Sequence, residues 1–323
     1  MKPFNPSYCF KNRHIQTLYS SFCRRDLKLT MEIETFELSD GDFVDCYWYN
    51  RDKEDSERPI IILFHGLEGS HKSPYIQGVM SEAKKEGFTT VLMHFRGCSS
   101  KENRLPRAYH SGATEDAHEW INSLSHRYPK TKLFCAGYSI GGNMLLKLLA
   151  ERDKKRDITA CVATSVPYLL HLPADIMEHG FAQFYQYNLI KSLKKNLLKK
   201  FDKHNMSLYI KLRREEIENI KTFWEFDSKY TAPIHRFSSA QDYYDKCSSR
   251  QFLKNIKTPT LLIHAKDDPF MVPDVIPTKE ELSSSLTLEL SDYGGHVGFI
   301  EGTLFKPNYW LEKRVISYFK EFV

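Results

Sequence analysis

The run Ile60–Phe64 is apolar on both of its faces and directly follows Pro59. A strand of this kind is typical of a parallel sheet that is covered on each side. Helical spacing follows over Pro74–Glu86, Gly87 stands where that helix should end, and Thr89–Phe95 is the next strand-like run. This order of strand, helix and strand predicts a right-handed crossover in a mostly parallel sheet with helices on both faces.

The same alternation continues along the chain and predicts one α/β domain over residues 1–323. Within it, residues 167–256 contain no good buried strand and predict an inserted helical cap. The remaining predicted elements are strands at Lys132–Ala136, Ile158–Ser165, Thr260–His264 and Leu286–Leu290, helices at Thr114–Leu124, Gly142–Glu151 and Asn308–Phe322, and a hairpin of Thr35–Leu38 with Phe43–Tyr49.

The predicted cap contains an amphipathic segment with a strongly basic side. Its apolar side chains recur at helical spacing as Leu189, Ile190, Leu193, Leu197, Leu198 and Phe201, and the opposite face carries Lys191, Lys194, Lys195, Lys199 and Lys200. We favour packing of the apolar side on the protein itself, with the lysines in water. Peripheral contact with an anionic membrane surface is the alternative.

Composition excludes several other classes of protein. Lys and Arg number 46 against 41 Asp and Glu, a net charge of +5 that is too mild for a dedicated nucleic-acid binder. The 7 cysteines include no C-x-x-C pair, which favours a reducing compartment without structural zinc. Met1–Arg25 has no apolar stretch of signal-peptide length, so we expect a cytoplasmic protein. No phosphate-binding, dinucleotide-binding or zinc-protease motif occurs, so no cofactor or metal is expected.

The sequence Gly137-Tyr138-Ser139-Ile140-Gly141 has the form G-x-S-x-G and lies between a predicted strand and a predicted helix. At such a junction the chain turns so sharply that small flanking residues are needed, and the serine hydroxyl is held above the sheet edge. A serine in this position is a candidate nucleophile, provided that a base can take its proton.

The base and its orienting carboxylate should follow later in the chain. His296 comes in a Gly-Gly-His sequence after the predicted strand Leu286–Leu290, where a loop can return the imidazole over the sheet. Asp267 and Asp268 both lie in the loop after the strand Thr260–His264. With Ala265 in the glycine position of a Gly-x-x-Asp pattern, Asp268 is preferred, and Asp267 remains the alternative.

Two backbone amides would complete such a site by binding a developing oxyanion. One is the N–H of Ile140, the residue after the candidate nucleophile, at the positive end of a helix. The other should come from the loop after the first central strand, where Leu67 is the candidate. His65 in the same loop is expected to have a structural role, fixing the loop by hydrogen bonds.

Taken together, these motifs resemble the α/β-hydrolases, and within them the YheT-like branch, which also contains eukaryotic membrane-associated lipases and esterases. The similar segments are Asn12–Thr17, His65–Ser70, His94–Ser99, His110–Asp116, Gly137–Asn143, Phe226–Pro233, Asp267–Phe270 and Gly294–Phe299. The resemblance implies an α/β-hydrolase fold with Ser139 as nucleophile, an aspartate of the Asp267-Asp268 pair as acid and His296 as base.

Two departures from that family accompany the resemblance. His110 is followed by Glu115 and Asp116 at spacings that do not match the His-x4-Asp motif discussed for acyltransferases. Arg236 stands where this branch would have glycine.

The expected function is hydrolysis of a small-molecule carboxylic ester, including thioesters or lipid esters, through an acyl-enzyme on Ser139. An acyltransferase and a non-catalytic binding protein are the alternatives, and no oligomeric state is predicted.

Overall fold

Among the residues that the structure describes, the central sheet has eight strands, in the order β1-β2-β4-β3-β5-β6-β7-β8. A computed structural model describes residues 1–24, 27–52, 57–152 and 157–323. The strands are β1 Glu32–Glu37, β2 Phe43–Tyr49, β3 Ile60–Phe64, β4 Thr89–Met93, β5 Leu133–Tyr138, β6 Ala160–Thr164, β7 Thr260–Ala265 and β8 Leu286–Ser291. Strand β2 pairs antiparallel with β1 and β4, and the other neighbours are parallel. The predicted α/β-hydrolase sheet is confirmed.

Helices cover both faces of this sheet. The helices of the described ranges are α1 Arg13–Cys23, α2 Pro74–Lys85, α3 Glu115–Arg127, α4 Ile140–Glu151, α5 His171–Ile176, α6 Ala182–Lys203, α7 Phe223–Phe226, α8 Ala232–Ile234, α9 Ala240–Cys247 and α10 Trp310–Phe319. Helices α2 and α10 pack with Ile61, Leu63 and Phe134 on one face. Helices α3 and α4 pack with Ile62 and Cys135 on the other. The strands are therefore apolar on both sides because both sides are covered.

The sequence predicts a C-terminal helix that begins at Asn308, but α10 begins at Trp310. Asn308 lies instead in β10, Pro307–Tyr309, which pairs antiparallel with β9, Ile300–Gly302. The side chain of Asn308 donates a hydrogen bond of 2.8 Å to Glu301 across this pair. Strands of three residues leave no periodic signal in a sequence, so the pattern alone extends the helix over them.

The segment between β6 and β7 contains α5 to α9. On α6 the apolar side faces the protein, with Ile190 and Leu197 only 3% and 2% exposed, whereas Lys191 and Lys195 are exposed. Lys200 departs from the predicted solvated face: its ammonium is buried and donates 2.8 Å to the carbonyl of Leu105. Burial lowers the pKa of Lys200 to about 8. Among the helices of the described ranges, none combines the length and the hydrophobicity needed to cross a membrane.

Buried Arg96 joins several loops. Its guanidinium bonds both carboxylate oxygens of Asp116, at 2.7 and 2.6 Å, and also meets Asp40 at 2.8 Å and Asp42 at 3.1 Å. Asp116 is therefore engaged with an arginine and not with His110. Bidentate, desolvated contacts of this kind are the stronger class of ion pair.

Arg236 has a backbone conformation that explains why glycine suits its position. It follows α8 with φ 62°, in the left-handed region. A residue with a Cβ adopts this region at a cost of about 1 to 2 kcal/mol, which glycine does not incur.

Candidate active site

Ser139 lies at the turn between β5 and α4, with φ 53° and ψ −124°. Its amide donates 2.9 Å to the carbonyl of Thr164 on the neighbouring strand, which holds the turn against the sheet. A Cβ on Gly137 would come within 2.6 Å of the Gly141 carbonyl oxygen, so the close approach of strand and helix excludes any side chain there. The sequence folds this way because glycine occupies the crowded positions around a strained serine.

His296 and Asp268 meet at the end of the sheet that Ser139 faces. Nδ1 of His296 donates 2.8 Å to Oδ2 of Asp268, a residue only 2% exposed. The other carboxylate oxygen accepts 2.9 Å from the amide of Phe270. The Phe270 ring stacks on the imidazole at a centroid distance of 4.2 Å. The proton on Nδ1 leaves Nε2 of a neutral His296 as a proton acceptor.

Asp267 makes a different contact. Its Oδ1 accepts 2.9 Å from the amide of Gly295, while Oδ2 is buried and has no hydrogen-bond partner among the residues that the structure describes. Burial raises the pKa of this carboxyl group. Asp267 therefore contacts the backbone of the histidine loop, whereas Asp268 contacts the imidazole ring.

Helix α1 supports the loop of His296 from outside the sheet. The backbone amide of His296 donates 2.9 Å to Oγ1 of Thr17. The carboxamide of Gln16 accepts 2.8 Å from the amide of Ile300 and donates 2.9 Å to its carbonyl. Asn12 caps the helix by accepting from the amides of His14 and Ile15. No pattern in the sequence predicts this support of the histidine loop. The local signals are the capping residue Asn12 and the similarity of Asn12–Thr17 to the family.

The candidate oxyanion amides belong to Leu67 and Ile140. Both residues line the same cavity as Ser139 and His296. Among the described residues, neither amide donates a hydrogen bond, so both are available to a ligand oxygen. Ser139 and His296 also share no hydrogen bond there, as is common in enzymes without bound substrate.

His65 is buried, with both ring nitrogens engaged. Nδ1 donates 2.7 Å to the carbonyl of Gly66, and Nε2 accepts 3.1 Å from the amide of Phe95. Burial lowers the pKa of His65 to about 4, so the ring is neutral near pH 7. The imidazole thereby joins the loop before Leu67 to the loop after β4.

The cavity has a volume of about 410 Å³ and lies between the sheet edge and the helices that follow β6. Its walls include Leu189, Leu193 and Leu197 of α6, together with Tyr185 and Phe270. Large apolar walls with a few polar groups are typical of sites for organic ligands. Within the part of the chain that the structure describes, no three His, Cys, Asp or Glu side chains are arranged to hold a metal ion.

Comparison with known proteins agrees with this architecture. A protein family described as the alpha/beta hydrolase fold matches residues 59–303. The chain is 43% identical to YheT of Escherichia coli (strain K12), which has the provisional name of an esterase, over 97% of this chain and 91% of that protein. It is 26% identical to the protein of Homo sapiens named phospholipase ABHD3, over 98% of this chain and 77% of that protein.

Among solved structures, the Pyrococcus furiosus esterase Pf2001 aligns with a TM-score of 0.59 and 17% identity, over 100% of this chain and 98% of that chain. Identity this low supports the fold alone. The family match and the extensive identity to YheT carry the classification further. The chain belongs to the α/β-hydrolase family and, within it, to the YheT-like branch.

Proposed function

We propose that this protein is a serine hydrolase that cleaves carboxylic esters through an acyl-enzyme on Ser139. The observation that carries the proposal is the 2.8 Å hydrogen bond from Nδ1 of His296 to Asp268, at a cavity that Ser139 also lines. Supporting it, the names of two relatives denote an esterase and a phospholipase. Both names refer to cleavage of ester bonds.

The proposed reaction begins when Oγ of Ser139 attacks the acyl carbonyl and its proton passes to Nε2 of His296. Asp268 orients the imidazole and stabilises its charged form. The Leu67 and Ile140 amides bind the negative oxygen of the tetrahedral intermediate. His296 then protonates the departing alcohol. Water attacks the acyl-enzyme and gives its proton to the same nitrogen. His296 then returns this proton to Oγ of Ser139 as the carboxylic acid leaves.

The proposed substrate is a small-molecule ester with an apolar acyl group, such as a lipid ester or a thioester. Leu189, Leu193 and Phe270 offer the acyl chain an apolar wall beside Ser139. Burying each methylene of such a chain contributes about 0.8 kcal/mol to binding. We therefore expect the affinity for the substrate to rise with acyl length for as long as each added methylene contacts this apolar wall.

The test is a panel of esters of graded acyl length, assayed with wild type and with Ser139→Ala. We expect hydrolysis by wild type and a loss of at least about 10³-fold in Ser139→Ala. Ser238→Ala is the matched control, because Ser238 is exposed in the cap and lies outside the cavity. Equal rates for wild type and Ser139→Ala would refute the proposal. Formation of a new ester when an alcohol is added would indicate acyl transfer.

A further inference from the structure

Glu68 follows the candidate oxyanion residue Leu67 and also lines the cavity. It adopts φ 54°, in the left-handed region, although it is not a glycine. A conformation of this kind persists only where the surroundings hold it. The contacts of Glu68 identify what holds it.

The side chain of Glu68 is bonded to the cap helix. Its Oε2 accepts 2.6 Å from the hydroxyl of Ser192 and 2.7 Å from the carboxamide of Asn196. Ser192 and Asn196 are four residues apart on α6 and so lie on the same helical face. One carboxylate oxygen in the loop after β3 therefore joins two positions of a helix more than a hundred residues later.

Tyr109 holds the same residue from the core side. Its hydroxyl accepts 2.9 Å from the Glu68 amide and donates 3.2 Å to Oε1. The Tyr109 ring is itself fixed by stacking on Phe95, with centroids 5.0 Å apart. Both the backbone and the side chain of Glu68 are thus bound to groups outside their own loop.

Leu67 lies between two fixed neighbours. On one side the amide of Gly66 donates 2.9 Å to the hydroxyl of Tyr75, and on the other side Glu68 is bound as described. The Leu67 amide has no hydrogen bond of its own among the described residues. Its direction therefore depends on the contacts of Gly66 and Glu68.

Burial raises the pKa of Glu68, and the bonds from Ser192, Tyr109 and Asn196 oppose that rise. Donors of this kind stabilise the charged form of a partly buried carboxyl group. Ser192 and Asn196 of α6 therefore help to stabilise the loop that contains Glu68.

We propose that Glu68 is a positioning residue that links the cap helix α6 to the oxyanion loop, so that seating of α6 holds the Leu67 amide in its productive direction. This inference rests on the proposed ester hydrolysis. Ser192 and Asn196 would thus contribute to kcat through Glu68, although neither takes part in the chemical steps.

The test compares Glu68→Gln, Ser192→Ala and Asn196→Ala, alone and in pairs, in steady-state ester hydrolysis. We expect each single change to lower kcat about tenfold with KM within about twofold, a smaller loss than the removal of an oxyanion donor. Because all three act through one link, Ser192→Ala and Asn196→Ala should cost little more in the Glu68→Gln background. Asn188→Ala, an exposed change on the same helix, is the matched control.

A second readout separates positioning from folding. An alkyl boronic acid forms a tetrahedral adduct with the serine, and its affinity should fall by the same factor as kcat/KM. If Glu68→Gln does not fold, the two α6 variants and their pair carry the test. Fully additive losses, or a rise in KM at unchanged kcat, would overturn the link while Ser139-dependent hydrolysis persists. Equal hydrolysis by wild type and Ser139→Ala would instead reject the proposed function.

Discussion

Ser139 is held in a backbone conformation that few residues other than glycine adopt. At about 1 to 3 kcal/mol, this strain must be offset by the contacts around it, including the bond from its amide to Thr164. The reason for such strain is positional, because it lifts the hydroxyl out of the sheet towards the cavity. The same logic distinguishes the adjacent aspartates, of which Asp268 bonds the imidazole and Asp267 bonds a backbone amide.

We predict unequal effects of Asp268→Asn and Asp267→Asn on turnover. Asparagine at position 268 turns an acceptor into a group that can donate towards Nδ1 of His296 and favours the wrong tautomer, so kcat should fall about 10³- to 10⁴-fold. Asparagine at position 267 keeps an acceptor for the Gly295 amide, and kcat should fall less than about tenfold. Steady-state kinetics measures both. The reverse order of losses would make Asp267 the acid.

At the scale of elements, helix α1 is part of the site although it lies outside the sheet. Thr17 bonds the backbone amide of His296, Gln16 bonds the backbone of Ile300, and Thr17 also lines the cavity. Their contacts span 279 and 284 residues of sequence. The helix thus fixes the histidine loop from the far end of the chain.

We predict that Thr17→Val lowers kcat about tenfold with little change in KM. Valine has nearly the shape of threonine but offers no acceptor to the His296 amide, and small displacements of a catalytic group reduce rates strongly. Thr17→Ser keeps the hydroxyl and should restore most of the activity. Steady-state assays of both variants make the comparison. A Val variant with wild-type kcat, or a Ser variant as impaired as Val, would contradict the role of the hydroxyl.

At the scale of the whole molecule, several histidines are buried in the neutral form. His65, His94 and His264 are at most 1% exposed. Burial lowers their pKa values to about 4, about 3 and about 4, respectively. In the unfolded chain a histidine takes up its proton near pH 6.5, well before the folded protein does. Unfolding therefore consumes protons at mildly acidic pH.

We predict that the free energy of unfolding falls as the pH is lowered from 7.5 to 5.5. The sign follows because the unfolded state binds more protons, and each of the three histidines contributes a loss of about 1 kcal/mol. Urea unfolding at pH 7.5, 6.5 and 5.5 measures the fall. In His264→Gln the same decrease should be smaller by about 1 kcal/mol. Stability that stays constant or rises over this interval would contradict the prediction.

Features that depend on neighbouring residues could be predicted from the sequence, whereas contacts between distant segments could not. The two-sided apolar strands and the Ser139 turn depend on neighbouring residues, so the fold class and the candidate nucleophile could be inferred from the sequence. The bond from Thr17 to His296 and the link from Glu68 to Asn196 join distant segments, and no periodicity indicates them. Burial of Lys200 was missed because its acceptors come from residues 103–105, outside its own helix.

The central claim is that Ser139 is the nucleophile, and covalent labelling tests it most directly. Wild-type protein is treated with a fluorophosphonate, and the modified residue is located by peptide mass spectrometry. We predict one phosphonate adduct on Ser139 of wild type and none on Ser139→Ala, because only an activated serine hydroxyl displaces the fluoride. Resistance of wild type to the reagent, an adduct at another residue, or equal labelling of Ser139→Ala would contradict the claim.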